Sequence, residues 1–331
     1  RDWSSDVCSS DLDIITDEGL ANEQGLFGFN PLNIHTSPGK CDWLYEWFDF
    51  YKFQEQITSS IFSKTDYFRK RIGDKLMVIS SSYHNEENLP KGYIEKKIVE
   101  PNAHNENKVN MNLYGSPFAK DGSEYYNQFD RNKHVKDVDC PANCAITVSL
   151  DFNRIPYITA GLYKTWYKED VQRWHVHRFD EVCLPPPYNT TEHLCNRLSE
   201  LYGHEFENGL FITGDYSGKN RRTNSIEDDY MVVWRVLKKY LGNTSDRVIV
   251  NEPVVNRKEF MNKVFYGSVP IDYTMAPRCK NLIKDCEFIK EGPDGGKIKP
   301  KDGNGQEKYG HCSDEQEYYY TSTFKQYYKP K

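Results

Sequence analysis

Three aspartates mark the places where this sequence could carry out metal chemistry. Asp151 follows an apolar run at 145–150, Asp215 follows a second apolar run at 210–214, and Asp314 opens the last helix-like segment. Two strand ends and a helix start can meet in one cleft although they are far apart in sequence. Mg²⁺ and Mn²⁺ prefer oxygen ligands, and two-ion phosphodiester-cleaving sites hold their ions about 3.5–4 Å apart. The three residues therefore predict a metal-dependent nuclease.

His311 lies three residues before Asp314, on nearly the same face of the predicted helix. It is a candidate metal ligand or a group that orients the attacking water, and the alternative is a hydrogen-bonded cap at the helix start. A single aspartate at a strand end is commonly only a turn former. What favours a site is that Asp151, Asp215 and Asp314 fit one topology, in which repulsion between their carboxylates implies a bound cation.

The elements that must position these residues follow a definite order in the second half of the chain. Strands are predicted at 145–150, 157–163, 173–182, 210–213 and 247–250, and helices at 191–202, 229–241, 256–266 and 277–286. This is the order of the RNase H-like fold, a mixed α/β sheet flanked by helices. The first strand is central in that fold and the fourth lies beside it, so Asp151 and Asp215 are expected at neighbouring strand ends. Asp228 and Asp229 are expected to cap a helix rather than to bind metal.

The first half reads as a separate α/β region. Helices are predicted at 43–53, 64–71 and 90–99, and a strand at 75–80. Residues 116–138 mix Gly, Pro, Asp, Asn and Lys, which is typical of a linker. We therefore expect an N-terminal α/β domain at 13–115, a linker at 116–138 and the RNase H-like domain at 139–331.

Composition limits the classes of protein to which the chain can belong. Its 331 residues are enough for two domains with cores, and an aromatic content of 14% favours a folded chain. No apolar stretch approaches the roughly 18 residues of a membrane span. Nine scattered cysteines favour a reducing compartment over a disulfide framework. The net charge of −6 argues against a generally basic nucleic-acid-binding surface, although local basic patches fit an acidic body.

One such basic patch directly follows Asp215. Lys219, Arg221 and Arg222 are candidate contacts to DNA phosphates beside the metal site, because arginine can hold phosphate oxygens with two parallel hydrogen bonds. The alternative is a solvated loop. The position of the patch next to a candidate metal carboxylate favours contact with DNA.

Five ordered motifs within 139–331 resemble the nuclease domain of tailed-phage terminase large subunits. They are VSLDFN at 148–153, TGDYSG at 213–218, NEPVV at 251–255, CKNLIKD at 279–285 and GHCSD at 310–314. The resemblance implies that Asp151, Asp215 and Asp314 ligate two Mg²⁺ or Mn²⁺ ions and that His311 assists them. It also implies cleavage of concatemeric double-stranded DNA during genome packaging in the host cytoplasm, with a small terminase subunit and the capsid portal protein as partners.

Terminase large subunits join this nuclease to an ATPase motor. The first half of this sequence carries weaker signs of such a motor. Asp17 and Glu18 faintly resemble a Walker B strand end, and Thr36-Ser37 resembles the family's coupling motif. No Gly-x-x-x-x-Gly-Lys-Ser/Thr phosphate loop occurs in the sequence. Residues 1–12 look like a translated sequencing adapter, so we expect a C-terminal fragment whose ATP site belongs to a longer parent protein.

Two other interpretations of these residues remain open. Another RNase H-like nuclease, of the resolvase or transposase type, would share the acidic residues but not the Thr36-Ser37 motif. A non-catalytic DNA-binding or virion assembly protein would need no metal, and replacing Asp151 or Asp215 would leave its activity intact.

Overall fold

A computed structural model describes Tyr45 and residues 48–73, 75–120, 122–220 and 227–328. These residues form two compact units, one up to Glu124 and one from Tyr125 onward. The boundary between the two units falls inside the predicted linker of 116–138. The domain limits of 13–115 and 139–331 remain a prediction. Outside the described residues lie 1–12 and six residues with predicted roles, namely Asp17, Glu18, Thr36, Ser37, Arg221 and Arg222.

The first unit is built on a helix and a β-hairpin. A 3-10 turn at Phe50–Phe53 leads into α1 (Gln54–Ile61), and β1 (Phe68–Ile72) pairs antiparallel with β2 (Lys75–Ile79). Ile57 and Ile61 of α1 pack in one buried cluster with Phe68 and Met77 of the hairpin. The remaining elements are a 3-10 segment at Ser82–Asn88, a π-helical turn at Glu95–Val99, α2 (Glu100–Asn102) and α3 (Glu106–Asn112).

The helix predicted at 64–71 is wrong. Residues 68–72 form β1 instead, because β1 and β2 pair in register from Phe68 opposite Ile79 to Ile72 opposite Lys75. Within the helix predicted at 43–53, Tyr45 is helical and a 3-10 turn occupies Phe50–Phe53, after which α1 runs to Ile61. The strand predicted at 75–80 is confirmed as β2.

The second unit is organised around one six-stranded mixed sheet. Its strands are β3 (Ile146–Asp151), β4 (Ile158–Lys168), β5 (Arg173–Leu184), β6 (Leu210–Gly214), β7 (Leu241–Asp246) and β8 (Ile271–Met275). β3, β4 and β5 form an antiparallel meander, β6 lies parallel beside β3, and β7 lies parallel beside β6. The spatial order is β7-β6-β3-β4-β5-β8. The unit therefore has the predicted RNase H-like fold, with β8 added at the outer edge beside β5.

Helices cover both faces of this sheet. They are α4 (Arg131–His134), α5 (Thr191–Tyr202), α6 (Asp229–Leu237), α7 (Val254–Tyr266), α8 (Lys280–Phe288) and α9 (His311–Thr323). The side chain of Asp228 accepts a hydrogen bond from Met231 N at 2.8 Å, which confirms its predicted role as a helix cap.

Successive side chains of β3 point to opposite faces of the sheet and pack against different helices. Ile146, Val148 and Leu150 belong to the buried cluster that includes residues of α5 and α6. On the other face, Ser149 Oγ donates to the backbone oxygen of Glu315 in α9 at 2.6 Å. Every residue of β3 is buried, so this strand forms the centre of the unit.

The last predicted strand lies earlier than expected. The prediction placed it at 247–250, whereas α6 ends at Leu237, a 3-10 turn follows at Lys238–Tyr240, and β7 occupies 241–246. The chain returns to the edge of β6 as soon as the helix ends, and the last bond to that strand runs from Arg247 N to Ile212 O at 2.9 Å. The apolar run beyond it leaves the sheet, and Val250 is 64% exposed.

A small antiparallel hairpin precedes α9. It consists of β9 (Lys290–Glu291) and β10 (Lys297–Ile298), and we call residues 290–299 the lysine hairpin. Among the described helices of both units, none is long and apolar enough to cross a membrane.

Candidate metal centre

β3 and β6 bring Asp151 and Asp215 to the same edge of the sheet. Asp151 is the last residue of β3, and Asp215 directly follows β6, the parallel neighbour of β3. The backbone N–H of Asp215 donates to Leu150 O at 2.8 Å, which ties the two strand ends together. Gly214 permits this approach because its φ is +139° and a Cβ atom there would collide with the backbone of Leu150.

Helix α9 adds His311 and Asp314 from its first turn. His311 Nδ1 lies 3.1 Å from Asp151 Oδ2. One ligand atom from each of Asp151, His311 and Asp314 can be chosen so that all three lie within 4.8 Å of one another. The alternative role of His311 as a helix cap is not seen, since Gly310 occupies the cap position and the imidazole contacts side chains. The structure thus brings three of the four predicted site residues together.

Asp215 is turned toward its own loop. Its Oδ1 atom accepts hydrogen bonds from Ser217 N at 2.9 Å and from Asn251 Nδ2 at 2.6 Å, so it caps the 3-10 turn Tyr216–Lys219. Asp215 still lies in the same electrostatic neighbourhood. Burial raises the pKa of Tyr318, and the charges of Asp314, Asp151 and Asp215 raise it further. Asp215 therefore borders the cluster without entering it.

Two lysines of the lysine hairpin neutralise this acidic cluster. Lys297 Nζ lies 2.7 Å from Asp314 Oδ1, and Lys299 Nζ lies 2.8 Å from Asp314 Oδ2. Burial disfavours the ionised form of Asp314, but the two ammonium groups outweigh burial and lower the pKa of this carboxyl well below its ordinary value. Asp314 is therefore held as a carboxylate.

Neither lysine was predicted to belong to the site. Lys297 and Lys299 are two residues apart on an extended segment, so their side chains leave the backbone on the same side. That spacing is the sequence signal that could have indicated them as a pair. It does not reveal what they face, because Asp314 belongs to a different element.

Glu307 and Asn153 complete the surroundings of His311. Glu307 Oε2 lies 3.0 Å from His311 Nε2 and 3.2 Å from Lys299 Nζ. Asn153 Nδ2 lies 3.1 Å from His311 Nδ1. Neither residue was predicted as part of the site, although Asn153 belongs to the motif that contains Asp151.

Beneath the site, α9 turns charged side chains into the protein interior. Glu315 pairs with Arg178 of β5, and both side chains are fully buried. Glu317, also fully buried, lies 3.2 Å from Arg257 of α7. Removing one partner of a buried ion pair leaves an uncompensated charge, which costs about 3–5 kcal/mol. These pairs therefore fix the position of α9, and with it the position of the first-turn residues of the site.

Of the predicted basic patch, only Lys219 lies among the described residues. It ends the 3-10 turn that Asp215 caps, and its Nζ atom lies 5.7 Å from the ring centroid of Tyr216. It is partly buried and close in sequence to the candidate metal centre. Its contact with DNA stays a prediction.

The donor atoms present fit a hard divalent cation. Two carboxylates and one imidazole within 4.8 Å of one another form a set that Mg²⁺ or Mn²⁺ can accept. The ammonium groups of Lys297 and Lys299 show that this cluster already attracts positive charge.

No protein-family model and no curated protein matches this sequence. Among solved structures, the large terminase from the thermophilic bacteriophage D6E is 15% identical at a TM-score of 0.44, over 65% of this chain and 48% of that chain. The nuclease domain of the P22 large terminase is 9% identical at a TM-score of 0.41, over 60% of this chain and 91% of that one. The nuclease domain of g2p, the large terminase of bacteriophage SPP1, was solved with bound Mn. It is 14% identical at a TM-score of 0.35, over 56% of this chain and 94% of that one. The chain is thus similar to bacteriophage large terminases and spans about half the length of the D6E protein.

Proposed function

We propose that this chain is a nuclease of the terminase large-subunit type, which hydrolyses phosphodiester bonds of double-stranded DNA with divalent cations. The observation that supports the proposal most is the convergence of Asp151, His311 and Asp314 at the sheet edge that also carries Asp215. Isolated turn-forming aspartates have no reason to meet a buried histidine in this way.

Asp151, Asp215, Asp314 and His311 are the residues that would hold two Mg²⁺ or Mn²⁺ ions. Such ions supply an activated water and stabilise negative charge on the leaving oxygen. The carboxylate oxygens of Asp151 and Asp314 are anionic acceptors for this purpose, and Lys297 and Lys299 keep Asp314 ionised.

Glu307 orients His311 for this role. With the proton at Nε2 directed to Glu307 Oε2, 3.0 Å away, the lone pair of Nδ1 faces the side of the ring where Asp151 lies. A carboxylate that accepts the outer N–H of a ligating histidine fixes its tautomer and its ring orientation. Glu307 is therefore a positioning residue in this proposal.

The wider role follows from the resemblance of the five motifs. In this role the nuclease would cut concatemeric DNA for packaging and would act together with an ATPase motor. A small terminase subunit and the portal protein would be its partners in the host cytoplasm. Lys219, Arg221 and Arg222 would hold DNA phosphates close to Asp215.

A cleavage assay with matched variants tests the nuclease proposal. Supercoiled plasmid is incubated with the chain in Mg²⁺, in Mn²⁺ or in EDTA, using the wild type, Asp151→Asn, Asp215→Asn and Asp314→Asn. We expect cutting only with metal and a loss of about 100-fold or more in each variant, because even outer partners of metal ligands cost 10–100-fold. Calorimetric titration with Mn²⁺ gives a second readout, in which the variants bind the ion more weakly.

Asp170→Asn is the matched control, since Asp170 is an exposed aspartate between β4 and β5. It should cut like the wild type. Folded wild-type protein that cuts equally well in EDTA, or Asp151→Asn and Asp314→Asn proteins with full activity, would overturn the proposal. Metal-independent binding to DNA without cutting would instead support a non-catalytic DNA-binding protein.

A further inference from the structure

A cavity lies at the end of the sheet opposite the aspartates. Its volume is about 380 Å³, and its lining includes Thr147 near the start of β3 and Ser322 and Thr323 at the end of α9. Asp151 ends β3 and His311 begins α9, so the cavity lies at the other end of both elements. With a rise of roughly 1.5 Å per residue, the ends of α9 are about 18 Å apart. The cavity is therefore separate from the candidate metal centre.

Arg247 brings an unbalanced positive charge to this cavity. Its guanidinium carbon lies 3.9 Å from the ring centroid of Phe211, and both residues line the cavity. Burial lowers the pKa of Arg247. Within the part of the chain that the structure describes, no carboxylate forms a salt bridge with it. The cation thus loses part of its hydration without gaining a counter-charge.

The buried arginines of the same unit are arranged differently. Arg178 is fully buried and has Glu315 and Glu181 as partners, and Arg257 is held by Glu317. Taking a charge out of water is costly unless an opposite charge accompanies it. Arg247 departs from this arrangement, and it lines a cavity. An anion in the cavity would supply the missing counter-charge.

The cavity also offers a free hydroxyl and aromatic walls. Thr323 Oγ1 is buried and has no hydrogen-bond partner among the described atoms, whereas Ser322 Oγ pairs with Thr213 Oγ1 at 2.8 Å. Trp174 forms part of the wall, and its ring packs edge to face on the buried Phe324, with the two ring centroids 5.9 Å apart. A hydroxyl and a guanidinium bind phosphate oxygens, and aromatic rings stack on nucleic-acid bases.

We propose that this cavity binds a nucleoside monophosphate group, with the phosphate on Arg247 and Thr323 and the base against Trp174. A volume of about 380 Å³ falls within the range of small-molecule sites, about 300–1,000 Å³. The group could belong to a free nucleotide or to the 5′ end of a DNA strand, since the chemistry is the same. The site is independent of the proposed nuclease activity.

Calorimetric titration of the full chain in EDTA tests this site without metal or cleavage. The probes are deoxyadenosine monophosphate, deoxyadenosine and inorganic phosphate. We expect the nucleotide to bind once with a Kd below about 1 mM and each of the other two probes to bind at least about tenfold more weakly. Tryptophan fluorescence should change on binding, and that change should be lost in Trp174→Phe.

Variants locate the phosphate. Arg247→Gln should weaken nucleotide binding by about tenfold or more, and Thr323→Val should weaken it by about threefold. The matched control is Arg197→Gln, because Arg197 is exposed and pairs with Glu200 on the surface of α5. If circular dichroism shows that Arg247→Gln does not fold, Arg247→Lys is used instead. It keeps the positive charge and removes only the pair of parallel hydrogen bonds that a guanidinium can make to phosphate.

The outcomes distinguish a strand end from a free nucleotide as the ligand, and they show whether the proposal holds. A 5′-phosphorylated single-stranded oligonucleotide that displaces the nucleotide identifies a strand end as the ligand, and failure to displace it identifies the free nucleotide. Inorganic phosphate binding as tightly as the nucleotide, unchanged binding in folded Arg247→Gln, or no binding at all would overturn the proposal. None of these results depends on whether the chain cuts DNA.

Discussion

A single histidine shows how neighbouring groups fix the protonation state of buried side chains here. His134 is 2% exposed, and its Nδ1 atom accepts a hydrogen bond from Asp130 N at 3.0 Å. Its Nε2 atom lies 3.1 Å from Phe265 O, to which it can donate. A neutral imidazole satisfies both contacts, whereas a proton on Nδ1 would face an N–H group. Burial lowers the pKa of His134 to about 4, because it disfavours the charged ring.

This shift predicts a loss of stability in mild acid. Below a pH of about 6.5 the unfolded chain binds a proton at this histidine and the folded chain does not, so stability falls as the pH drops toward 4. We expect the free energy of unfolding, measured in urea, to fall by about 2 kcal/mol from this residue between pH 7 and pH 5. His134→Gln should reduce that slope without abolishing it, since burial also lowers the pKa of His177 to about 4, whereas His204→Gln, which replaces an exposed histidine, is the control. An equal slope in His134→Gln would contradict the assignment.

The sequence alone indicates some site residues and cannot indicate others. Asp151, His311 and Asp314 could be predicted to meet, because each lies at the end of an element and the order of elements fixes which ends are neighbours. Lys297, Lys299 and Glu307 could not, since their place depends on how the lysine hairpin packs against another part of the chain. No local pattern carries that information.

At the scale of elements, α9 departs most from what its composition indicates. Its stretch from Glu315 to Tyr320 reads as a polar, aromatic segment, yet Glu315, Gln316 and Glu317 are fully buried. Partners on other elements make this possible, as Arg178 does for Glu315. Sequence periodicity cannot separate such a helix from a surface helix, because burial of charge is decided by tertiary partners.

The close approach of α9 to β4 depends on the absence of one side chain. Gly161 lies in β4, and a Cβ atom there would collide with the carboxylate of Glu315. We expect Gly161→Ala to lower the free energy of unfolding by about 1–3 kcal/mol in urea, the usual cost of overpacking an interior. Gly303→Ala is the matched control, since nothing lies within 4 Å of the added atom there. Equal stabilities of the two variants would show that α9 can shift without cost.

Errors in predicted elements share one physical origin. Residues 64–71 were predicted as a polar helix and 247–250 as an apolar strand from local sequence alone. The pairing of β1 with β2 and the early return of the chain to β6 override those preferences. The three strands between 146 and 184 were predicted to start within about one residue of their observed starts, whereas β4 runs to Lys168, beyond its predicted end at 163.

At the scale of the molecule, residues that precede the sheet belong to the second unit. Tyr126 is 1% exposed, and its hydroxyl donates to Glu317 Oε1 at 2.6 Å. Phe129 is also buried, and its ring centroid lies 5.4 Å from that of Phe265 in α7. Composition places these residues in a linker because Gly, Asp, Asn and Lys surround them, but their aromatic rings are part of the core.

Two truncated chains test where the second unit begins. A chain that starts at Tyr125 should unfold cooperatively, because it keeps every aromatic contact of 125–138. A chain that starts at Asp139 loses Tyr126, Phe129 and His134, and we expect its melting temperature to be lower by about 10 °C. Scanning calorimetry measures both. Indistinguishable melting temperatures would support the linker predicted at 116–138.

The charged interior of α9 also limits how this sequence can diverge among relatives. Glu315 and Arg178, like Glu317 and Arg257, lie on different elements and are far apart in the chain. Losing one partner alone leaves a buried charge without a counter-charge and destabilises the fold. Replacing both partners with apolar residues of similar volume can leave the stability unchanged. Substitutions at these positions should therefore be inherited in pairs. An alignment of relatives would then show covariation between α9 and the elements that flank it, even where the aspartates at the sheet edge do not vary.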